Sequence, residues 1–280
     1  MGALTMSGRI RVATLNIWGP YGDWRSRRDV LRAGFRELDP DVVVLQEAVV
    51  GDGIDQVSEL FGEGYHVLHQ GRRAREGVGC SIVSRWPAES VEELDLLVTD
   101  RVSPDDFVGR ATLAEYDTPV GRVLVAHHKP NWQITYERER ELQALATARC
   151  IEERVAGRSG VHVVLAGDFD TRPDTSSIRF LTGRQSLGEL SVHYQDVWEK
   201  AHPGEPGHTF TLENPMIVEY ADWSRIPPRR IDYVMVRCDE RGPTLRIASA
   251  EQIFNQPVDG VFASDHYGVS ADLVLDADAV

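Results

Sequence analysis

The spacing of apolar residues along the chain predicts an alternation of strands and helices. Residues 10–17 alternate and are rich in β-branched side chains, which is typical of a strand. Residues 42–45 are entirely apolar, as expected of a strand that is covered on both faces. Residues 23–38 repeat apolar positions at helical spacing, and Asp39-Pro40 ends that helix. This mixture of elements favours a layered α/β fold.

The remaining pattern adds several strands and one long helix. Further strands are expected at residues 79–83, 110–114, 122–126, 161–166, 231–236 and 269–275. The longest helical pattern covers residues 133–155, and we interpret its charged part, residues 137–141, as a solvated face. Residues 171–230 are rich in proline and predict loops. Because the sequence has no linker, low-complexity segment or fixed repeat, we expect a single domain over residues 1–280.

Composition and charge narrow the class of protein. The chain is 42% hydrophobic and 26% charged, with a formal net charge of -14. Proteins that depend on non-specific nucleic-acid binding usually carry a basic face, so the charge disfavours such a role. Cys80, Cys150 and Cys238 form neither a disulfide framework nor a CxxC pair. Since the sequence has neither a signal-peptide pattern nor an apolar run of membrane-spanning length, we expect a cytoplasmic location and no membrane span.

Polar side chains that can bind metal or transfer protons lie at one end or the other of most of the predicted strands. They are Asn16, Glu47, His127, His128, Asp168, Asp170, Asp232, Asp265 and His266. Side chains at strand ends can converge on one rim of a sheet, where ligands of α/β proteins commonly bind. Carboxylates gathered there would repel one another unless a cation neutralised them. We therefore expect one or two Mg²⁺ ions, with Mn²⁺ as the alternative, and histidines that do acid–base work.

An ordered set of short motifs makes the sequence resemble the endonuclease/exonuclease/phosphatase superfamily. The motifs are Thr14-Leu15-Asn16, Leu45-Gln46-Glu47, residues 79–87, Ala126-His127-His128, Gly167-Asp168-Phe169-Asp170, Arg230-Ile231-Asp232-Tyr233 and Ser264-Asp265-His266. Any one of them is weak, but together they follow the order of the family over most of the chain. The resemblance implies a four-layer α/β sandwich of two packed mixed β-sheets flanked by helices. It also implies a metal-dependent hydrolase of phosphate esters.

The resemblance assigns the metal site and the groups around it. Glu47 corresponds to the principal metal ligand, and Asp265 to a second ligand or a contact to metal-bound water. Asn16 would position the metal ligands or a phosphate oxygen, or would itself bind the metal. Asp168 would orient the attacking water or hold the metal.

The resemblance also assigns catalytic roles to His266 and to its partner Asp232. His266 corresponds to the general base, or to an imidazolium that contacts the phosphate. Asp232 would accept a hydrogen bond from His266 and fix its tautomer.

Two positions depart from the pattern of the family. The family usually has one histidine after the strand at 122–126, whereas this chain has two. Adjacent residues of an extended chain point to opposite sides, and we predict that His128 rather than His127 faces the site. Asp170 stands where the family has asparagine. We interpret this carboxylate either as a ligand of a second metal or as a neutral acid.

Substrate binding is predicted for Lys129 and Arg172, which lie beside these motifs, together with Asn16 and His127. Tryptophans near the same loops would either stack on a base or pack in the core; they are Trp18, Trp24, Trp132 and Trp198. The leading hypothesis is a phosphodiesterase, ahead of a monoesterase, acting on a small or soluble phosphoester. The alternatives are a structure-selective DNA or RNA nuclease, and a fold relative with altered or lost phosphoester chemistry.

Overall fold

Two mixed β-sheets form the centre of the protein. The computed structural model describes residues 8–103, 109–221 and 223–275. Its strands are β1 (Arg9–Asn16), β2 (Val42–Gly51), β3 (Ile54–Asp55), β4 (His66–His69), β5 (Val78–Ser84), β6 (Ser90–Asp95), β7 (Arg110–Thr118), β8 (Gly121–His128), β9 (Val161–Asp168), β10 (Tyr194–Asp196), β11 (Asp232–Asp239), β12 (Gly242–Pro243), β13 (Arg246–Ile253) and β14 (Gly268–Val274). Its helices are α1 (Trp24–Leu38), α2 (Gln56–Leu60), α3 (Glu137–Val155), α4 (Ser176–Leu181), α5 (Val197–Ala201) and α6 (Met216–Ala221).

Each sheet contains one parallel pair of strands, and the site depends on both pairs. The first sheet has the order β13-β14-β1-β2-β5-β4, with β3 paired to β2. The second has the order β10-β11-β9-β8-β7-β6, with β12 paired to β11. β1 is parallel to β2 and β8 is parallel to β9, with α1 and α3 as the respective connections. The carboxyl ends within each pair therefore lie at the same edge of their sheet.

The sheets and helices form four layers, as the sequence predicts. Apolar side chains of both sheets, such as Val12 and Val44 from the first and Val125 and Val164 from the second, pack between them. The outer face of the first sheet packs against α1 and α2, and the outer face of the second against α3 and α4. Along the described part of the chain, no helix is long and apolar enough to cross a membrane.

The predicted strands and long helices are present, but several short elements were not predicted. α1 begins after Asp23, whose side chain accepts from the backbone N–H of Ser26, and ends at Asp39 in a left-handed conformation (φ 49°). The segment 171–230, predicted as loops, contains α4, β10, α5 and α6. These elements have three to six residues, too few for a clear periodicity. Short elements of this kind depend on tertiary packing more than on local propensity.

Candidate active site

The candidate site lies where strand ends of the two sheets come together, and Asn16 joins them. Nδ2 of Asn16 donates to Oε1 of Glu47 at 2.9 Å and to Oδ2 of Asp168 at 3.1 Å. Oδ1 of Asn16 accepts from the backbone N–H of Trp18 at 3.0 Å, which fixes the orientation of the amide. Asn16 therefore positions one carboxylate from each sheet. This geometry favours a positioning role over the direct metal-ligand role expected from the sequence.

Glu47 reaches the cleft because β2 is irregular at this point. The register of β2 against β5 shifts around this residue, which indicates a β-bulge. The backbone of Glu47 has a φ of 58°, a left-handed conformation that few residues other than glycine adopt. Trp18 and Asp170, which line the same cleft, have φ values of 50° and 54°. Residues held in such conformations are concentrated at functional sites.

Lys129 places its ammonium among the acidic side chains. Nζ donates to Oδ2 of Asp168 at 2.5 Å and to Oδ2 of Asp170 at 2.6 Å, and it is 3.7 Å from Oε1 of Glu47. Burial would lower the pKa of Lys129, but these carboxylates raise it well above its ordinary value. Burial also disfavours ionised Asp168, yet Lys129 and His266 lower the pKa of Asp168 to about 2. Lys129 and Asp168 are thus both charged at neutral pH.

Asp170 has a partner that its sequence context did not reveal. Its backbone N–H donates to Oδ1 of Asp168 at 3.0 Å, while its carboxylate accepts from Lys129. Burial and the charge of Asp168 raise the pKa of Asp170 to about 6, and Lys129 opposes this shift. The chain itself therefore supplies a cation beside the unexpected carboxylate. Neither sequence-based interpretation of Asp170, as a second-metal ligand or as a neutral acid, included this contact.

His266 and Asp232 form a buried pair. Nδ1 of His266 is 3.0 Å from Oδ2 of Asp232, which lies opposite Asp168 in the ladder between β11 and β9. Burial would lower the pKa of His266, but Asp232, Asp168 and Asp265 raise it to about 10. These carboxylates favour the imidazolium form of His266, in which Nδ1 donates to Asp232. The hydrogen bond expected from the sequence is present, and the charge favours phosphate contact over a role as general base.

Glu47 and Asp265 have carboxylate oxygens that remain available to a cation. Among the described residues, the Asp265 carboxylate accepts only from the hydroxyl of Ser264, at 3.2 Å. The Glu47 carboxylate accepts only from Asn16, apart from the longer contact with Lys129. Burial raises the pKa of Asp265 to about 6, and the charge of Glu47 contributes to this shift. Two carboxylates with unused oxygens on one cavity wall fit a hard divalent cation such as Mg²⁺.

A second group with metal-ligand chemistry lies next to this pair. Ligand atoms of Asp168, Asp232 and His266 lie within 4.8 Å of one another. However, Nδ1 of His266 already contacts Asp232, and Asp168 already accepts from Lys129 and Asn16. Oδ1 of Asp232 is a buried atom without a hydrogen-bond partner in the described part of the chain. We therefore interpret this group as a hydrogen-bonded acid–imidazole set and place the metal at the first pair.

The structure reverses the predicted orientations of His127 and His128. His127 lies between the sheets, where its Nε2 atom is 2.8 Å from Nε2 of Gln46. His128 lies on the opposite face of β8, with Nδ1 3.0 Å from the hydroxyl of Thr147 in α3 and its ring against Phe169. The prediction that the His128 side chain faces the site is therefore wrong. His127 is on the side of the site, but it is 1% exposed and lies too deep to touch a substrate directly.

Alternation along β8 explains this reversal. Val125 shares a face with His127 and packs between the sheets, whereas Ala126 shares a face with His128 and packs towards α3. Because both faces of β8 are apolar, the sequence pattern does not distinguish the inner face from the outer one. The same alternation brings Lys129, two residues beyond His127, into the site.

The buried His128 gives a prediction about stability and pH. Burial lowers the pKa of His128 from 6.5 to about 3, so the unfolded chain binds a proton between these pH values that the folded chain does not. The contribution of neutral His128 to the free energy of unfolding of the wild type therefore decreases as the pH falls below 6.5. In His128→Gln this loss is absent. We expect the stability difference between wild type and variant to shrink by roughly 2 kcal/mol from pH 7 to pH 5.

Urea denaturation of both proteins at the two pH values measures this change. His66→Gln is the matched control, because His66 lies at the exposed start of β4. A stability difference that stays constant for His128→Gln would show that the folded protein also protonates this imidazole.

The cleft consists of two cavities that meet at Glu47. The first has a volume of about 370 Å³ and is lined by Trp18, Tyr21, Glu47, Trp132, Asp170, Phe210, Trp223, Arg229, Ile231, Asp265 and His266. The second has a volume of about 330 Å³ and includes Gly79, Cys80, Lys129 and Pro130. Both cavities share Tyr21, Glu47 and Trp132. A larger cavity of about 430 Å³, in a groove beside α1 and α2, contains none of the candidate site residues.

One predicted substrate-binding residue does not reach the cleft. The guanidinium of Arg172 forms a bidentate pair with Asp174 at 2.6 and 3.1 Å, and half of its side chain is exposed. The prediction for Arg172 is therefore corrected: its hydrogen-bonding capacity is used at the surface. Arg229, which was not predicted to bind substrate, lines the first cavity.

The tryptophans named from the sequence divide between the cleft and other parts of the fold. Trp18 and Trp132 line the first cavity. Trp24 donates to Glu59, and Trp198 stacks on the ring of His202. The cleft contains further aromatic rings that were not predicted; they are Tyr21, Phe210 and Trp223. A periodicity argument could not find them because they lie in loops.

The fold and the site define a two-sheet sandwich with an acidic, histidine-containing cleft at its strand ends. The sequence profile of the Endonuclease/Exonuclease/phosphatase family matches residues 13–266. The chain belongs to this family, which includes phosphoesterases and nucleases. A comparison with curated proteins gave no match.

Solved structures share the fold at low sequence identity. D. rerio TDP2, complexed with single strand DNA product, has a TM-score of 0.73 and 17% identity, covering 95% of this chain and 98% of that one. TDP2 from C. elegans has a TM-score of 0.74 and 17% identity, covering 95% and 75%. An endonuclease/exonuclease/phosphatase from Bacteroides vulgatus has a TM-score of 0.70 and 21% identity, covering 96% and 99%. At these identities the likeness concerns the fold alone.

Proposed function

We propose that the protein is a divalent-metal-dependent phosphodiesterase that hydrolyses a P–O ester bond by attack of water. The observation that carries this proposal is the combination of groups on one cavity wall. Glu47 and Asp265 offer unused carboxylate oxygens, and the imidazolium of His266 lies beside them. A bound Mg²⁺ or Mn²⁺ ion supplies polarisation of a phosphoryl oxygen and stabilisation of the leaving oxygen.

The residues of the chain have separable roles in this proposal. His266, held by Asp232, donates to a phosphate oxygen and stabilises the negative charge that develops during hydrolysis. One oxygen of Asp170 accepts from Lys129, whereas its other oxygen accepts no hydrogen bond from the described residues. Asp170 can therefore accept a hydrogen bond or a proton from the attacking water. Asp168 holds the ammonium of Lys129 in place beside this water. The ammonium of Lys129 provides positive charge for the phosphate.

The shape of the cleft favours a diester over a monoester. A phosphate bound at Glu47 lies where the two cavities meet, so a substituent can extend into each of them. A monoester would fill only one. The two cavities also differ in chemistry, since the first is lined by aromatic rings and the second includes the glycine-containing start of β5.

A nuclease acting on single-stranded nucleic acid is the second candidate. Trp132 is 51% exposed and Tyr21 54% exposed, and both lie beside Glu47. Exposed aromatic rings near a phosphate site can stack on bases. The D. rerio TDP2 structure that shares this fold holds a single-stranded DNA product. The net charge of -14 argues against it, because it weakens attraction to a polyanion.

A substrate panel tests both candidates. Purified protein is assayed with bis(p-nitrophenyl) phosphate, p-nitrophenyl phosphate and a single-stranded oligonucleotide, with Mg²⁺, with Mn²⁺ and with EDTA. We expect kcat/KM for the diester to exceed that for the monoester at least about tenfold, and turnover to stop in EDTA. Preference for the monoester would contradict the diesterase proposal. Absence of turnover on every phosphoester would instead support a fold relative with other chemistry.

A further inference from the structure

Arg229 is a buried cation whose guanidinium has no hydrogen-bonding partner among the described residues. Its residue is 9% exposed, and its side chain forms no hydrogen bond and no ion pair with the described residues. Its guanidinium lies over the face of Phe210, 5.0 Å from the ring centroid. The backbone of Arg229 is fixed, since its N–H donates to Phe210 at 2.9 Å and its carbonyl accepts from Thr209 and Phe210. The side chain therefore projects from a rigid position.

The neighbouring residue shows what an internally neutralised arginine looks like in this fold. Arg230 is also buried, and its guanidinium forms an ion pair with the buried carboxylate of Asp196. Among the described residues, no carboxylate forms an ion pair with Arg229. Burial lowers the pKa of Arg229, and the charges of Asp170, Asp168 and Asp232 oppose this shift. A buried guanidinium with unused donors is unfavourable unless an anion binds to it. Arg229 has unused donors of this kind, and it lines the first cavity.

The surroundings of Arg229 indicate the rest of the ligand. The rings of Trp132 and Trp223 lie 6.0 Å apart, edge to face, and Phe210 lies 6.3 Å from Trp223. A planar ring can pack against such a wall. The cavity volume of about 370 Å³ falls in the range of small-molecule sites.

We propose that Arg229 binds a second anionic group of the substrate, distinct from the phosphodiester that is hydrolysed, and that a planar ring of the same substrate packs on the aromatic wall. This inference rests on the proposed phosphodiesterase function. The substrate class is a nucleoside phosphate unit with a phosphate on each side of the sugar. The second phosphate is either the terminal phosphate of a small nucleotide or the next phosphate of a strand. Planar guanidinium groups suit phosphate oxygens because they can donate two parallel hydrogen bonds.

A matched pair of substrates tests this proposal by turnover. Both are thymidine 5′-(p-nitrophenyl phosphate), one with and one without a phosphate on the 3′ oxygen. In wild type, the added phosphate should lower KM. In Arg229→Gln, KM for the doubly phosphorylated substrate should rise about 10- to 100-fold, with KM for the other changed less than about threefold. Arg229→Lys should restore part of the affinity. An equal effect on both substrates would overturn the proposal, because it would place Arg229 at the hydrolysed phosphate.

A binding measurement keeps this inference separate from the proposed function. Thymidine 3′,5′-bisphosphate and thymidine 5′-monophosphate are titrated calorimetrically into wild type, Arg229→Gln and Arg225→Gln. Arg225 is the control, because it is an exposed arginine four residues away in the same loop. We expect the bisphosphate to bind wild type and Arg225→Gln about 10- to 100-fold more tightly than Arg229→Gln. If wild type binds both nucleotides equally, the inference fails even where the enzyme is active. A parallel loss of oligo(dT) binding in Arg229→Gln would identify a strand as the source of the second phosphate.

Discussion

Replacing His266 with alanine is expected to lower kcat about a thousandfold, with little change in KM. The imidazolium of His266 is positioned by Asp232 and lines the cavity beside Glu47. Its donor faces the site of charge development without needing to reorganise, and positioned proton donors typically contribute between 10²- and 10⁴-fold. Steady-state kinetics on bis(p-nitrophenyl) phosphate at saturating Mg²⁺ measure this effect.

Asp232→Asn separates the charge of this pair from its shape. The asparagine retains the size of Asp232, but it no longer provides a negative charge beside Nδ1 of His266. We expect kcat to fall at least about a hundredfold, because the imidazolium loses stabilisation and the preferred tautomer changes. His66→Ala, at an exposed position on β4, should leave kcat unchanged. If His266→Ala retains kcat within about tenfold of wild type, the histidine has no direct part in the reaction.

The motifs predicted which residues lie near one another better than they predicted side-chain directions. Asn16, Asp168 and Asp232 lie where strand ends converge, as the sequence indicates. The predicted orientation of His127 and His128 was wrong because both faces of β8 are buried in this four-layer fold. An alternating pattern identifies a face only where one side is polar.

Contacts between residues that are distant in the chain could not be predicted from the sequence. Lys129 and Asp170 are 41 positions apart, and no local pattern links a lysine after one strand to an aspartate after the next. Arg172 and Arg229 show the same difficulty. Arg172 is adjacent to a motif, yet Asp174 holds it at the surface, while Arg229 lies in a loop and reaches the cavity. Whether an arginine keeps donors for a ligand depends on whether a carboxylate forms an ion pair with it in the folded chain.

The bulge at Glu47 also required the structure. A strand was predicted only for residues 42–45, but β2 continues to Gly51 after the register shift. The shift turns Glu47 into the cleft and leaves Gln46 fully buried. The residue type of Glu47 indicated a metal ligand, and its left-handed backbone conformation explains how its carboxylate reaches the cleft.

Removal of the Glu47 carboxylate should therefore abolish metal-dependent turnover. Glu47→Gln keeps the hydrogen bond from Asn16 in reach but removes the negative charge that, with Asp265, fits a divalent cation. We expect kcat/KM at 1 mM Mg²⁺ to fall at least about a hundredfold, since metal polarisation of the phosphate contributes several kcal/mol. Wild type should lose turnover in EDTA and regain it when Mg²⁺ or Mn²⁺ is added in excess.

Direct titration of Mn²⁺ into wild type, Glu47→Gln and Glu76→Gln distinguishes loss of the ion from damage to the site. Glu76 lines the second cavity and is exposed, so its substitution removes the same charge from the same cleft. We expect the Kd for Mn²⁺ to rise at least about tenfold in Glu47→Gln and to change little in Glu76→Gln. Unaltered Mn²⁺ affinity in Glu47→Gln would exclude Glu47 as a ligand. The acid–imidazole set of Asp168, Asp232 and His266 would then become the candidate site for the ion, because its ligand atoms lie within 4.8 Å of one another.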